Sequence, residues 1–85
     1  NAFSPNGDGK NDFFQPYFID PPNTYYIHIY NRWGQMVFES NSVTPGWDGN
    51  LKGKAQPVGT FIYYLEYSYT GQPVQKMHGA FELLR

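Results

Sequence analysis

Two strands set around four residues that belong to neither constrain this chain more than any other stretch of it. Across residues 25–39, Ile27 and Ile29 alternate with His28 and Tyr30, the period of two that sends one set of side chains into a core and the other set out of it. Met36, Val37 and Phe38 then resume β-forming character, which makes the whole stretch a hairpin. Asn31, Arg32, Trp33 and Gly34 are its turn, since Asn tolerates left-handed backbone angles and Gly takes positive φ with no Cβ to clash. Turn chemistry has no use for a guanidinium and an indole. The expectation is that Trp33 folds over the core, as a small domain without disulfides seldom leaves a large side chain idle. Arg32 would then stack on an aromatic ring or pair with a carboxylate such as Asp48. A contact for a partner is the other reading of the same two residues.

The rest of the chain repeats the theme. Residues 60–69 put Phe61, Tyr63, Leu65, Tyr67 and Tyr69 on one face and Thr60, Ile62, Tyr64, Glu66 and Ser68 on the other, the longest strand pattern present. A turn at 70–73 leads into a last strand over 74–84, with Gly79 expected as a bulge. Residues 13–19 are apolar but contain Pro16, which cannot donate to a ladder and so predicts a short edge strand. Trp47, Asp48, Gly49 and Asn50 form a second tight turn, where Asp48 accepts backbone N–H bonds and Gly49 takes positive φ. Gly53, Pro57 and Gly59 keep the following segment irregular, with Lys52 and Lys54 as solvated charges. No segment free of Gly and Pro shows the helical spacing of apolar residues. The expected fold class is therefore all-β: a small antiparallel β-sandwich, immunoglobulin-like, with about six or seven strands and essentially no helix.

Composition excludes several functions. At 85 residues the chain is one domain, 1–85, and its 20% aromatic content supplies a modest core. There is no cysteine to staple it. Six basic against seven acidic residues give a net charge of -1, so no field draws a phosphate backbone, and nucleic acid is not an expected partner. No run approaches the ~20 apolar residues of a spanning helix.

The first twelve residues set oxygen-bearing side chains at Asn6, Asp8, Asn11 and Asp12 around Gly7 and Gly9. Alternating oxygens on a tightly curled backbone are what calcium requires, so Asn6, Asp8 and Asp12 are candidate ligands. The bidentate Glu that closes an EF-hand is missing, and no helix-forming run precedes the loop. An Asx/Gly turn that caps itself accounts for the same residues without a metal. No cofactor is required under that reading, and calcium is the one candidate.

The motifs in order are Asn1-Ala-Phe-Ser-Pro-Asn-Gly-Asp-Gly-Lys-Asn-Asp, Ile29-Tyr-Asn-Arg-Trp-Gly, Val37-Phe, Trp47-Asp-Gly, Pro57-Val-Gly-Thr-Phe-Ile-Tyr and Gly79-x-Phe-x-Leu-Leu-Arg85. Together they resemble the gliding motility-associated C-terminal domain, the type B sorting domain of the type IX secretion system of Bacteroidota. The resemblance implies a C-terminal sorting domain excised from a larger secreted protein, which directs that cargo through the outer membrane to the cell surface or exterior. It also implies a partner in the secretion machinery, an outer-membrane β-barrel of the PorP/SprF-like class. Asn31, Arg32, Trp33, Gly34, Trp47, Asp48, Gly49 and the terminal Arg85 are the residues expected to bind that partner or to shape its turns.

An enzyme is not expected. His28 and His78 are the two imidazoles, and neither has a Ser or Cys nucleophile in a recognisable elbow or an i+4 metal partner. The competing class is a carbohydrate-binding or adhesion module, with Trp33, Trp47, Tyr26 and Tyr64 as a stacking platform for sugar rings.

Overall fold

A computed structural model of the chain describes residues 2–5, 7, 9 and 12–85. Seven strands are present among these residues: β1 (Ala2–Phe3), β2 (Thr24–Asn31), β3 (Met36–Ser40), β4 (Asn50–Leu51), β5 (Lys54–Ala55), β6 (Gly59–Ser68) and β7 (Gln75–Leu83). No helix occurs among the described residues. A five-stranded sheet runs in the order β1-β7-β6-β2-β3, and β4 and β5 form a separate two-stranded sheet. The pairs within the large sheet are antiparallel except for the short β1, which lies parallel to the end of β7.

The alternation read from the sequence decides which face is buried. Tyr25, Ile27 and Ile29 from β2, Phe61 and Leu65 from β6, and Phe81 and Leu83 from β7 all enter one core. Phe3 and Val37 join them from the two edges, and Trp47 enters from the opposite layer. That second layer is thin. Its centre is an isolated bridge in which Phe14 and Trp47 exchange backbone hydrogen bonds of 2.8 and 3.0 Å, and Leu51 from β4 packs beside it. The Phe14 ring lies flat on Phe81 with centroids 3.7 Å apart, and Trp47 meets Phe61 edge-on at 4.9 Å. Such pairs add on the order of 0.5–1.5 kcal/mol each beyond the area they bury, a useful supplement where a small core has no cross-link.

Three local expectations change. Residues 13–19 do not form a strand; only Phe14 bridges, because the backbone groups that Phe14 does use are spent on Trp47 rather than on the large sheet. The irregular segment after Trp47 contains the small β4–β5 hairpin, with Asn50 opposite Ala55 and Leu51 opposite Lys54. Lys52, at φ 53°, and Gly53 make its turn.

Gly79 is the third. It is no bulge, since β6 and β7 keep unbroken register from Gly59↔Leu83 to Tyr67↔Gln75. It sits directly opposite Tyr63, and a Cβ there would come within 3.0 Å of the Tyr63 ring. The glycine makes room for a neighbour's aromatic ring. The bulge lies instead between β2 and β3, where Ile29 pairs with Phe38 and Tyr30 with Met36. Val37 is the additional residue, and both Val37 and Phe38 consequently turn towards the core.

Candidate functional site at the hairpin end of the sheet

Strand directions gather the motif residues at one end of the molecule. β2 ends there at Asn31, which is paired with Phe61 near the start of β6. β7 ends there at Leu83, opposite Gly59, and the parallel β1 ends there at Phe3. The 32–35 turn, the 56–58 loop and Arg85 are neighbours for that reason.

Asn31 holds the hairpin turn. Its side-chain Oδ1 accepts from the Trp33 N–H at 3.0 Å and the Gln35 N–H at 2.9 Å, and its Nδ2 donates to Gln35 Oε1 at 3.1 Å. Its backbone N–H donates to the Gln35 carbonyl, and its carbonyl accepts from Gly34. Gly34 has φ 83°, as a residue without Cβ allows. Asn31 is 7% exposed, the buried polar side chain of the core, and this closed set of bonds is what makes its burial tolerable.

The turn leaves Trp33 out. Its side chain is 69% exposed, so the expectation that it folds over the core is corrected. With Asn31 making five hydrogen bonds within the turn, the backbone is held without the indole. Arg32 does stack on an aromatic, with its Cζ 4.7 Å from the centroid of the Trp33 ring itself. It does not pair with Asp48, whose carboxylate accepts from the backbone and side chain of Asn50 at 2.9 and 3.4 Å. Arg32 and Trp33 border a narrow recess whose other wall is Pro57, Val58 and Gly59.

Trp47, Asp48 and Gly49 have different duties. Trp47 is fully buried, and its Nε1 donates to the Asn50 carbonyl at 2.9 Å. Asp48 caps the turn as expected. Gly49 has φ 84°, and a Cβ on it would lie 3.1 Å from Pro5 Cγ and 3.5 Å from Arg85 Nη2. Arg85 reaches over this turn: Nη2 donates to the Gly49 carbonyl at 3.2 Å and to the Gln56 carbonyl at 2.9 Å, and Nε donates to Gln56 at 3.3 Å. The Gln56 N–H in turn donates to the Gly49 carbonyl. Arg85 thus ties the last residue to two loops, a shaping role. Gln56 was not singled out from the sequence, because a backbone carbonyl as acceptor leaves no residue-type signal.

Of the calcium candidates, Asn6 and Asp8 lie outside the described residues. Asp12 uses both carboxylate oxygens locally, accepting from Gly7 N–H at 3.1 Å and Gly9 N–H at 2.8 Å, the self-capping arrangement of an Asx/Gly turn. No group of three His, Cys, Asp or Glu side chains suited to a metal occurs among the described residues.

The sugar platform does not assemble as a unit, since Trp47 is in the core. Tyr26 and Tyr64 do lie on the outer sheet face, flanking His28 at centroid distances of 5.1 and 5.4 Å. His28 Nδ1 lies 3.0 Å from the Tyr30 hydroxyl, so the ring has a hydrogen-bond partner without any substrate. His78 lies beyond Tyr64 on the same face.

The model of one protein family, the CHU_C type IX secretion signal domain, matches residues 1–83. No curated protein gives a significant match to the chain. A match over nearly the whole length means that the chain belongs to the type IX secretion signal domains.

Proposed function

We propose that this domain is a non-catalytic C-terminal sorting signal of the gliding motility-associated, type B kind. In this reading it sits at the end of a larger secreted protein and directs that cargo through the outer membrane to the cell surface or exterior. Its partner is the type IX machinery, through an outer-membrane β-barrel of the PorP/SprF-like class. The observation that carries the reading is the family match across residues 1–83. Supporting it, Arg32 and Trp33 stand at the tip of the hairpin with the indole exposed, and exposed Trp and Arg are the residue types that most often dominate interfaces. No helix among the described residues is long and apolar enough to cross a membrane.

The test is a periplasm-delivered reporter carrying residues 1–85 at its C-terminus, expressed in a type IX-competent cell. Export of the reporter is the expected result. Retention in the periplasm would overturn the sufficiency of the domain.

A further inference from the structure

The outer face of the large sheet is not flat. Register sets Tyr30 opposite Ile62 and His28 opposite Tyr64, and the next strand sets Ala80 opposite Ile62 and His78 opposite Tyr64. One row across the sheet therefore carries short side chains at Ile62 and Ala80, and the row beside it carries the rings of His28, Tyr64 and His78. Tyr30 closes the short row, and its ring meets that of Tyr64 at 83° with centroids 5.8 Å apart. The result is a recess of about 460 Å³, floored by Ile62, walled by His28, Tyr30 and Tyr64, and reached by Arg32 from the hairpin turn. Sites for small ligands span about 300–1,000 Å³, so the recess is the size of one.

Its polar groups are set in advance. The Asn31 side chain fixes the turn from which Arg32 extends. Arg32 rests on the Trp33 ring, and a stacked guanidinium keeps its edge, with the N–H donors, open. His28 Nδ1 and the Tyr30 hydroxyl share a hydrogen bond of 3.0 Å, which holds both rings. Among the described residues no carboxylate lines the recess. Glu39 accepts from the Tyr26 hydroxyl at 3.3 Å and Glu82 from the Thr60 hydroxyl.

These features select a ligand. The aromatic walls suit the C–H face of a sugar ring, which is apolar in the middle and polar at its rim. The hydroxyls of a neutral sugar also need acceptors, and no carboxylate is there to accept from them. The one fixed charge is a fork of donors, which matches a carboxylate in shape and sign. An exposed ion pair binds weakly by itself, so an acidic side chain, with only a methylene or two to lay on the rings, gains little. A sugar ring that carries a carboxylate uses the walls and the cation together.

We propose that this recess binds an acidic saccharide, one uronate ring of a glycan, with the ring against Tyr30 and Tyr64 and the carboxylate on Arg32. The contact is made by the sheet face and does not depend on the sorting function.

The probes are the trisaccharides of galacturonate, mannuronate and glucuronate. Galactotriose, mannotriose and cellotriose are their neutral counterparts, and a capped triglutamate peptide is the acidic control. Each is titrated into the 85-residue chain at neutral pH and physiological salt and followed by amide NMR. At least one uronate trisaccharide should shift the amides of Asn31–Gly34, Ile62 and Tyr64, and should bind about tenfold or more tightly than its neutral counterpart. Arg32→Gln should erase that preference, and Tyr64→Ala should weaken binding by about tenfold. Both side chains are exposed, so both variants should keep the wild-type melting curve. Tyr17→Ala removes an exposed ring outside the recess and should bind as the wild type does. No shift with any of the three acids, equal affinity for the neutral sugars, or binding unchanged in both recess variants overturns the site. Triglutamate binding as tightly as the uronates overturns the saccharide in favour of an acidic peptide.

Discussion

The guanidinium of Arg85 donates through Nη2 to the carbonyl of Gly49, 3.2 Å away and 36 residues earlier in the chain. The same nitrogen bonds Gln56, so one side chain at the end of the chain spans the Trp47–Asn50 turn and the loop after β5. Hydrogen bonds from a charged donor are worth about 1.5–3 kcal/mol when partly shielded, and less where water competes. Arg85→Ala is therefore expected to cost about 1 kcal/mol in a urea melt. Gly49→Ala should cost more, on the order of 1–3 kcal/mol, because it strains a left-handed backbone and pushes into Pro5. Equal and negligible losses in both variants would show that the clasp holds nothing.

The hairpin turn separates shape from exposure. Asn31→Ala leaves the part-buried Trp33 and Gln35 amide bonds without their acceptor and should destabilise by about 1–2 kcal/mol. Trp33→Ala and Arg32→Ala remove an exposed stacked pair worth about 0.5–1 kcal/mol and should melt close to the wild type. If the tip contacts the export machinery, those two variants fail in reporter secretion while remaining folded. A Trp33→Ala loss of about 3 kcal/mol or more would return the indole to a packing role.

Asp12 gives a test of the first loop. Both its oxygens already accept backbone amides, so Asp12→Ala should lower stability by about 1–2 kcal/mol equally in calcium and in chelator. The melting temperature of the wild type should be the same in both. A calcium-bound native state would instead gain about 2.7 kcal/mol at a hundredfold excess over Kd, and a shift of that size reversed by chelator and lost in Asp12→Ala would establish calcium binding through Asp12.

Burial pushes the Tyr25 hydroxyl up to about 12 from 10.0. The folded state thus favours the protonated form, and that contribution is whole below pH 10 and is lost as pH rises from 10 towards 12. The wild type should lose more stability between pH 8 and pH 11 than Tyr25→Phe, which has no proton to surrender. Parallel losses in the two proteins would remove Tyr25 as the cause.

Local pattern was enough for much of the fold. The alternation in residues 25–31 and 60–68 sets which side chains face the core, because strand geometry permits one assignment once an apolar face must be buried. The turns at Asn31–Gly34 and Asp48–Gly49 follow from the backbone angles those residues accept. The order of the motifs is likewise a property of the chain alone, and the family is shown by a match of the sequence over residues 1–83.

Position in space decided the rest. Trp33 and Trp47 are the same residue type, each followed by a turn glycine or an Asp-Gly pair, yet one is 69% exposed and the other fully buried. The difference is that Trp47 bridges to Phe14 above Phe61 and Phe81, whereas the Asn31 hydrogen bonds complete the other turn without its indole. Gly79 reads as a bulge until Tyr63 is placed opposite it. The Arg85 clasp depends on the carbonyls of Gly49 and Gln56 brought together by strand order, and backbone groups are identical at almost every residue, so its acceptors leave no mark in the sequence.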